Sequence, residues 1–500
     1  MRRTAWLTAL LVAAAMVPAA AGPAVAQVTT PGPDFNNDGF GDLAVGVPGE
    51  DLGTAADAGA VSVLYGSAGG LASNGQVLTQ DTAGVPGVSE DGDGFGSALV
   101  AGSFNGDAFA DLAVGAPGED VGAAADAGAV TILFGSAGGL VGAAARSLTQ
   151  GNPEPGDSFG FSLDTGQFEG GDALVVGAPG EDVGAAAGAG AVSQFDDPGG
   201  TPDEQLLYQG AGGMAGTAET GDGSGWAIVS NDFNDSDGID SLAVGVPGED
   251  VGAVADAGVV NVRYAPGFGQ PFGLTLVTQD RPETADRFGS ALGEGFLAGS
   301  DGTVDLAVGA PGERVGTAAG AGAVSVVKTD DSGFLATGSQ LFYQGFAGVP
   351  GTAETGDGFG SAVAVGGFGR GGGGLAVGVP GEDIGAVADA GALNVLYGLD
   401  GVGTELLTQA DAAGTVEAGD AFGAALSDPF FHEEDTLEDL GVGAPGETVG
   451  GRQAAGAGSV LFGDAADGLG GGGGGQFFYQ GVSGLGGTAE SFDGFGAAFS

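Results

Sequence analysis

Apolar residues along this chain come in runs of four to six, separated by Gly, Pro and Asp. One stretch carries such runs, rich in Val, Leu and Ala, at 97–101, 112–115, 129–134 and 146–149. Runs this short between turn residues predict strands and not helices. The group of four then begins again. Pro-Gly-Glu starts at Pro48, Pro117, Pro179, Pro247, Pro311, Pro380 and Pro445, with spacings of 62–69 residues. Glu-x-x-Asp-x-Phe-Gly places its aromatic slot at Phe95, Phe159, Ser224, Phe288, Phe359, Phe422 and Phe495. Only Ser224 departs, and Trp226 beside it is expected to fill the missing volume. A Thr or Tyr followed by Gln closes each unit, at Gln80, Gln150, Gln209, Gln279, Gln344, Gln409 and Gln480.

Seven units of four strands predict an all-β fold, a single seven-bladed β-propeller with four antiparallel strands per blade. Closing the ring protects the sheet edges. A stacked solenoid fits less well, because neither end looks like a capping repeat. The first predicted strand, 42–47, lacks a preceding Phe-Gly strand, and the last, 495–499, lacks followers. The C-terminal strand should therefore complete the N-terminal blade, making residues 27–500 one domain. Residues 1–26 read as a cleavable secretory signal, with Arg2 and Arg3, an apolar stretch at 5–17 and a cleavage site at Ala24-Val25-Ala26. That stretch is shorter than the ~20 residues of a membrane span. A secreted, extracellular protein with no membrane insertion is expected.

Phe95-Gly96 followed by Gly115-Ala116-Pro117, and variants such as Gly46-Val47-Pro48, resemble the FG-GAP repeats of integrin α-chain head domains, in their secreted bacterial form. The resemblance runs through essentially all of 30–500. It implies a seven-bladed propeller, calcium sites and an extracellular binding or adhesion role, with no particular ligand. Some members join the repeats to a phospholipase domain, for which this chain has no residues left.

Calcium in such proteins sits between the first and second strands, in D-x-D/N-x-D-G-x-x-D. Residues 34–42, DFNNDGFGD, match through Asp34, Asn36, Asp38 and Asp42. With the Phe40 carbonyl, and Asp42 binding through both oxygens, they could supply the six to eight oxygens that Ca2+ takes. Gly39 permits the turn. The second unit keeps Asn105, Asp107 and Asp111 but has Ser103 first, so it should bind more weakly. The fourth holds Asp232, Asn234, Asp237 and Asp240 around an insertion. The fifth keeps Asp301 and Asp305, and the seventh offers Glu433, Asp435 and Asp439. The best site is expected at ~10⁻⁴–10⁻³ M.

Charge narrows the function. Acids number 65 against 10 Lys and Arg, a net −55, which repels phosphate backbones and excludes nucleic-acid binding. No cysteine is present, so disulfides and thiol chemistry are excluded. More than half of the acids fall in the loops joining strands 2–3 and 4–1, which share the face opposite the metal hairpins. Integrin-like heads use that face for ligands; the same charge would also serve solvation alone. The recurring Glu and Asp invite an acid–base reading, but a catalytic pair is needed once and a turn in every blade. The single histidine, His432, lies in an acidic run. No catalytic residue is assigned. The expected function is a monomeric, calcium-stabilised adhesion or scaffold module for an unknown extracellular protein or glycan. The alternative is a glycan-active hydrolase using a carboxylate pair near the central channel, with Trp or Tyr gathered around it.

Overall fold

The computed structural model describes residues 32–500, except 72–74, 169–170, 234–237, 265–273, 298–302, 331–332, 335–338, 371–372, 400–402, 428–436, 472–474 and 483–484. The predicted signal lies outside the described residues. Short strands dominate, and the one helical element among the described residues is a 3-10 turn at Gln409–Ala412. No helix there is long and apolar enough to cross a membrane.

The second blade shows the plan. Its strands Ala98–Gly102, Asp111–Ala116, Ala129–Phe134 and Val141–Leu148 pair in sequence order as an antiparallel meander. The fourth strand starts earlier than the expected 146, because a register shift between Ile132 and Phe134 lets Phe134 pair with Val141. Five further blades repeat this four-stranded sheet. The middle strands are buried along their whole length. Successive side chains of a strand point to opposite faces, and here each face meets a different blade. Leu112 and Val114 pack with Val61, Val63 and Phe95, while Ala113 packs with Leu174 and Val176 of the next blade. Consecutive first strands also pack on one another, so they line the axis.

The first blade confirms the closure. It has only Leu43–Val47, Ala60–Leu64 and Gln76–Leu78 of its own. Residues 496–500 supply the missing strand. The Ala44 N–H donates to the Ser500 carbonyl at 3.0 Å, Gly46 to Ala498 at 2.9 Å, and Ser500 back to Ala44 at 3.1 Å.

Two motif glycines meet at every blade boundary. The glycine after each Phe slot, such as Gly360 at φ 90°, occupies the left-handed region. Its carbonyl lies where a Cβ on Gly309, in the neighbouring second strand, would stand. Gly46 against Gly96 and Gly443 against Gly496 repeat the contact. Gly309→Ala should therefore cost about 1–3 kcal/mol by overpacking; an unchanged denaturant midpoint would contradict this.

The Phe slot is fully buried at Phe95, Phe159, Phe288, Phe359, Phe422 and Phe495. The expectation for Trp226 is corrected. Ser224 sits in the slot, pairing with Gly190 as Phe95 pairs with Gly59, and Trp226 stays 43% exposed. Gly225, at φ 92°, turns the backbone between them. Met214 joins the local core instead, where the first unit has Val85.

Candidate functional site

The first-unit hairpin is folded by its own acids. Asp34 accepts the N–H groups of Asp38 and Gly39 at 3.1 and 2.8 Å, Asn36 accepts Asp38 at 2.8 Å, and Asp38 accepts Phe40 at 3.1 Å. These side chains stand at the surface, whereas Asp42 is fully buried. Its two oxygens accept Phe35 N–H and Gly66 N–H, each at 2.8 Å. Burial pushes its carboxyl up to about 7. Asp111 repeats this, holding Phe104 and Gly135, while Asn105 and Asp107 form the turn. Asp305 receives Thr329 and Asp439 receives Gly463. In all four units the last acid grips a backbone N–H 24 residues onward. That constant spacing is a signal the metal pattern had hidden. Asp232 accepts Gly238 N–H, and Asp240 accepts Gln167 of the preceding blade. No hydrogen bond is seen at the Ser103 side chain. Asn234, Asp237, Asp301, Glu433, Asp435 and His432 lie outside the described residues. Among those described, no three acidic or histidine side chains converge as a metal cluster.

On the other face the recurring polar markers meet. Each Gln donates its side-chain N–H to the Pro-Gly-Glu glutamate of the following blade. The pairs are Gln80–Glu119, Gln150–Glu181, Gln209–Glu249, Gln279–Glu313, Gln344–Glu382, Gln409–Glu447 and Gln480–Glu50, at 2.5–3.2 Å. The seventh joins residues 430 positions apart and shuts the circle. The Asp of Glu-x-x-Asp folds its own loop, accepting the N–H of the Glu three residues earlier at all seven copies, as Asp93 does from Glu90 and Asp493 from Glu490.

Each of these aspartates also lies within electrostatic reach of a bonded glutamate: Asp493 of Glu50, Asp93 of Glu119, Asp157 of Glu181, Asp222 of Glu249, Asp286 of Glu313, Asp357 of Glu382 and Asp420 of Glu447. Burial is the main reason that all fourteen carboxyls are held above their usual range; mutual repulsion adds to it and the N–H donors oppose it. Glu50, Asp93, Glu181, Glu313, Glu382 and Glu447 reach about 7, and Asp222, Asp420 and Asp493 about 6. Glu119, Asp157, Glu249, Asp286 and Asp357 are raised for the same reason.

One sector of this face breaks the seven-fold pattern. A pocket of about 410 Å³ opens across blades 3, 4 and 5, and its lining includes Phe161, Gly188, Asp222, Trp226, Asp256 and Arg287. Phe161 and Trp226 follow the Gly of the Phe-Gly element, where the other blades have Ser97, Ser290, Ser361, Ala424 and Ala497. Their rings lie 4.7 Å apart, tilted by 50°.

The class of protein is thus a seven-bladed all-β propeller, latched end to start, with seven equivalent polar seams. The chain carries FG-GAP repeats: the profile of that repeat matches residues 26–64 and 95–133. Among curated proteins, phosphatidylinositol-glycan-specific phospholipase D of Rattus norvegicus is 39% identical over 103 residues, 21% of this chain and 12% of that protein. The same enzyme of Bos taurus is 38% identical over 103 residues, with the same shares. The chain thus spans about an eighth of the relatives it matches. Among solved structures, the GH93 α-L-arabinofuranosidase of Fusarium graminearum in complex with arabinobiose aligns with 66% of this chain and 82% of its own, at 8% identity and TM-score 0.39. AofleA of Arthrobotrys oligospora aligns with 78% and 90%, at 8% identity and TM-score 0.37.

Proposed function

We propose that the protein is a secreted, calcium-stabilised binding module, adhesive or scaffold-like, without catalysis of its own. The observation that carries this reading is the equivalence of the seven acid seams. Every Pro-Gly-Glu glutamate and every Glu-x-x-Asp aspartate has the same structural partner in each blade, so none is set apart for acid–base work. A hydrolase would need a pair that differs from its six counterparts. The face holding the seams is strongly acidic outside the open pocket, which favours basic or neutral partners over polyanions. A binding screen of the intact chain against extracellular proteins and glycans tests the reading; turnover of any glycan in that screen would refute it.

Calcium fits the first hairpin by donor chemistry. Asp34, Asn36 and Asp38 present hard oxygens at the surface of one tight turn, and the Phe40 carbonyl follows them. These groups would hold the ion, while Asp42 keeps its buried grip on Phe35 and Gly66. Bound Ca2+ would neutralise the crowded carboxylates and brace the loop. Millimolar Ca2+ should raise the melting temperature over a chelated sample, and Asp34→Ala with Asp38→Ala should remove most of the rise. An equal rise in the double variant would rule out this loop.

A further inference from the structure

We infer that the pocket spanning blades 3, 4 and 5 is a subsite for a neutral pyranose, the terminal or internal hexose of a glycan. This rests on the binding-module reading and names its ligand class. The argument begins with the repeat. Most blades carry equivalent residues at each position, so departures from the pattern are informative where they coincide. Here three coincide. Phe161 and Trp226 replace small residues in adjacent blades, and an arginine enters from the next; beside them Gly188, like Gly320 and Ala454, brings no side-chain carboxylate where Asp57, Asp126, Asp256 and Asp389 do. Arg287 occupies the position before the Phe slot, held elsewhere by Gly94, Ser158, Gly223, Gly358, Ala421 and Gly494. That position is left-handed in every blade, at φ 57° for Arg287. An arginine there retains a backbone cost that glycine avoids.

The result is a concavity with an aromatic wall. Phe161 and Trp226 line it, and Gly188 brings no carboxylate. The volume, about 410 Å³, falls within the ~300–1,000 Å³ usual for small-ligand sites. Trp226 remains 43% exposed and contacts Phe161, so its ring face is open to a ligand in the pocket. Beside the aromatic wall, Ser158, Asp222, Asp256, Arg287 and Ser290 bring side-chain hydrogen-bonding groups among glycines and prolines. Arg287 has five N–H donors and, among the described residues, no ion-pair partner. Asp222 and Asp256 also line the pocket, and the Asp256 carbonyl accepts the Arg287 backbone N–H at 3.2 Å. A hexose has the matching chemistry: an apolar C–H face for the rings and hydroxyls that both donate to carboxylates and accept from guanidinium. The flanking acids disfavour a sugar that bears its own carboxylate.

Titration calorimetry of the intact chain with glucose, galactose, mannose, N-acetylglucosamine and their disaccharides tests this, with glucuronate and N-acetylneuraminate as acidic probes. At least one neutral sugar should bind. Trp226→Ala should weaken it about tenfold or more, the loss of one aromatic contact. Gly188→Asp, which introduces the residue found at Asp57, Asp126, Asp256 and Asp389, should do the same, and Arg287→Gly should weaken binding while relieving the backbone. All three positions are surface positions whose replacements occur elsewhere in the ring or remove an exposed group, so no melt should fall. Binding of acidic sugars alone, no neutral binding at millimolar concentration, or neutral binding indifferent to all three variants would overturn the subsite. A chain that ignores sugars yet captures a protein on this face would sink the pocket and leave the module reading standing. Hydrolysis of a bound sugar would do the reverse.

Discussion

Removing residues 489–500 is expected to collapse the cooperative melt of the whole chain, not to trim one edge. The segment contributes the fully buried Phe495, which meets Phe478 edge-on at 6.0 Å, and the buried Phe499. It also supplies the backbone bonds to Ala44 and Gly46 and the carboxyl of Asp493 beside Glu50. Without it the strand Leu43–Val47 has a bare edge on the axis side, and Val45 and Val47 lose the cluster they share with Phe495 and Phe499. A Phe→Ala change at a site as buried as Phe495 typically costs about 3–5 kcal/mol. The deletion adds lost strand pairing to that and is expected to exceed it. Calorimetry should show a broad transition at much lower temperature, with Phe495→Ala in between. A deletion variant that melts as sharply and as high as the parent would refute the latch.

The second large effect is an inverted response to pH. Carboxylates that are salt-bridged in the native state make most proteins weaker in acid; here fourteen are raised by burial, and the arginines near Asp286 and Asp493 only partly oppose it. A group whose folded pKa lies above its unfolded one keeps its proton longer in the fold. Stability is then greatest below the ordinary carboxylate values of 3.8–4.5 and is lost as pH climbs to the raised values of about 6–7. In chelator, which removes any contribution from the hairpin loops, the melting temperature should fall between pH 5 and pH 8. With this many groups acting together, the drop should be on the order of 10 °C. A higher melting temperature at pH 8 would mean that the seams do not hold protons. Glu313→Gln, which removes one acid from the pair with Asp286, should flatten part of the slope.

The blade count and the latch were legible because each follows from where a motif recurs. Phe95, Phe159 and Phe495 behave alike since the same local sequence meets the same neighbour. The seams were not legible. Gln80, Asp93 and Glu119 were each recognised as repeats, but the bond between Gln80 and Glu119 crosses from one blade to the next, and no spacing along the chain encodes that. The hairpin was legible as an acid-rich turn. What spacing missed is that Asp42 points inward, because its orientation is fixed by Phe35 N–H and by Gly66, 24 residues on. Trp226 was misplaced for a similar reason. A volume argument treats neighbours in sequence as neighbours in space, and the turn at Gly225 separates them.

The seam between Glu50 and Gln480 also sets an order of events. The strand Leu43–Val47 leaves the ribosome early, and its partner is made hundreds of residues later. Until then six blades can form with nothing to shut them, and an unpaired strand edge is open to whatever chain lies nearest. A neighbour's tail fits that edge as well as its own, so crowded nascent chains should exchange tails and yield swapped dimers. Dilution during refolding selects the self-closed monomer.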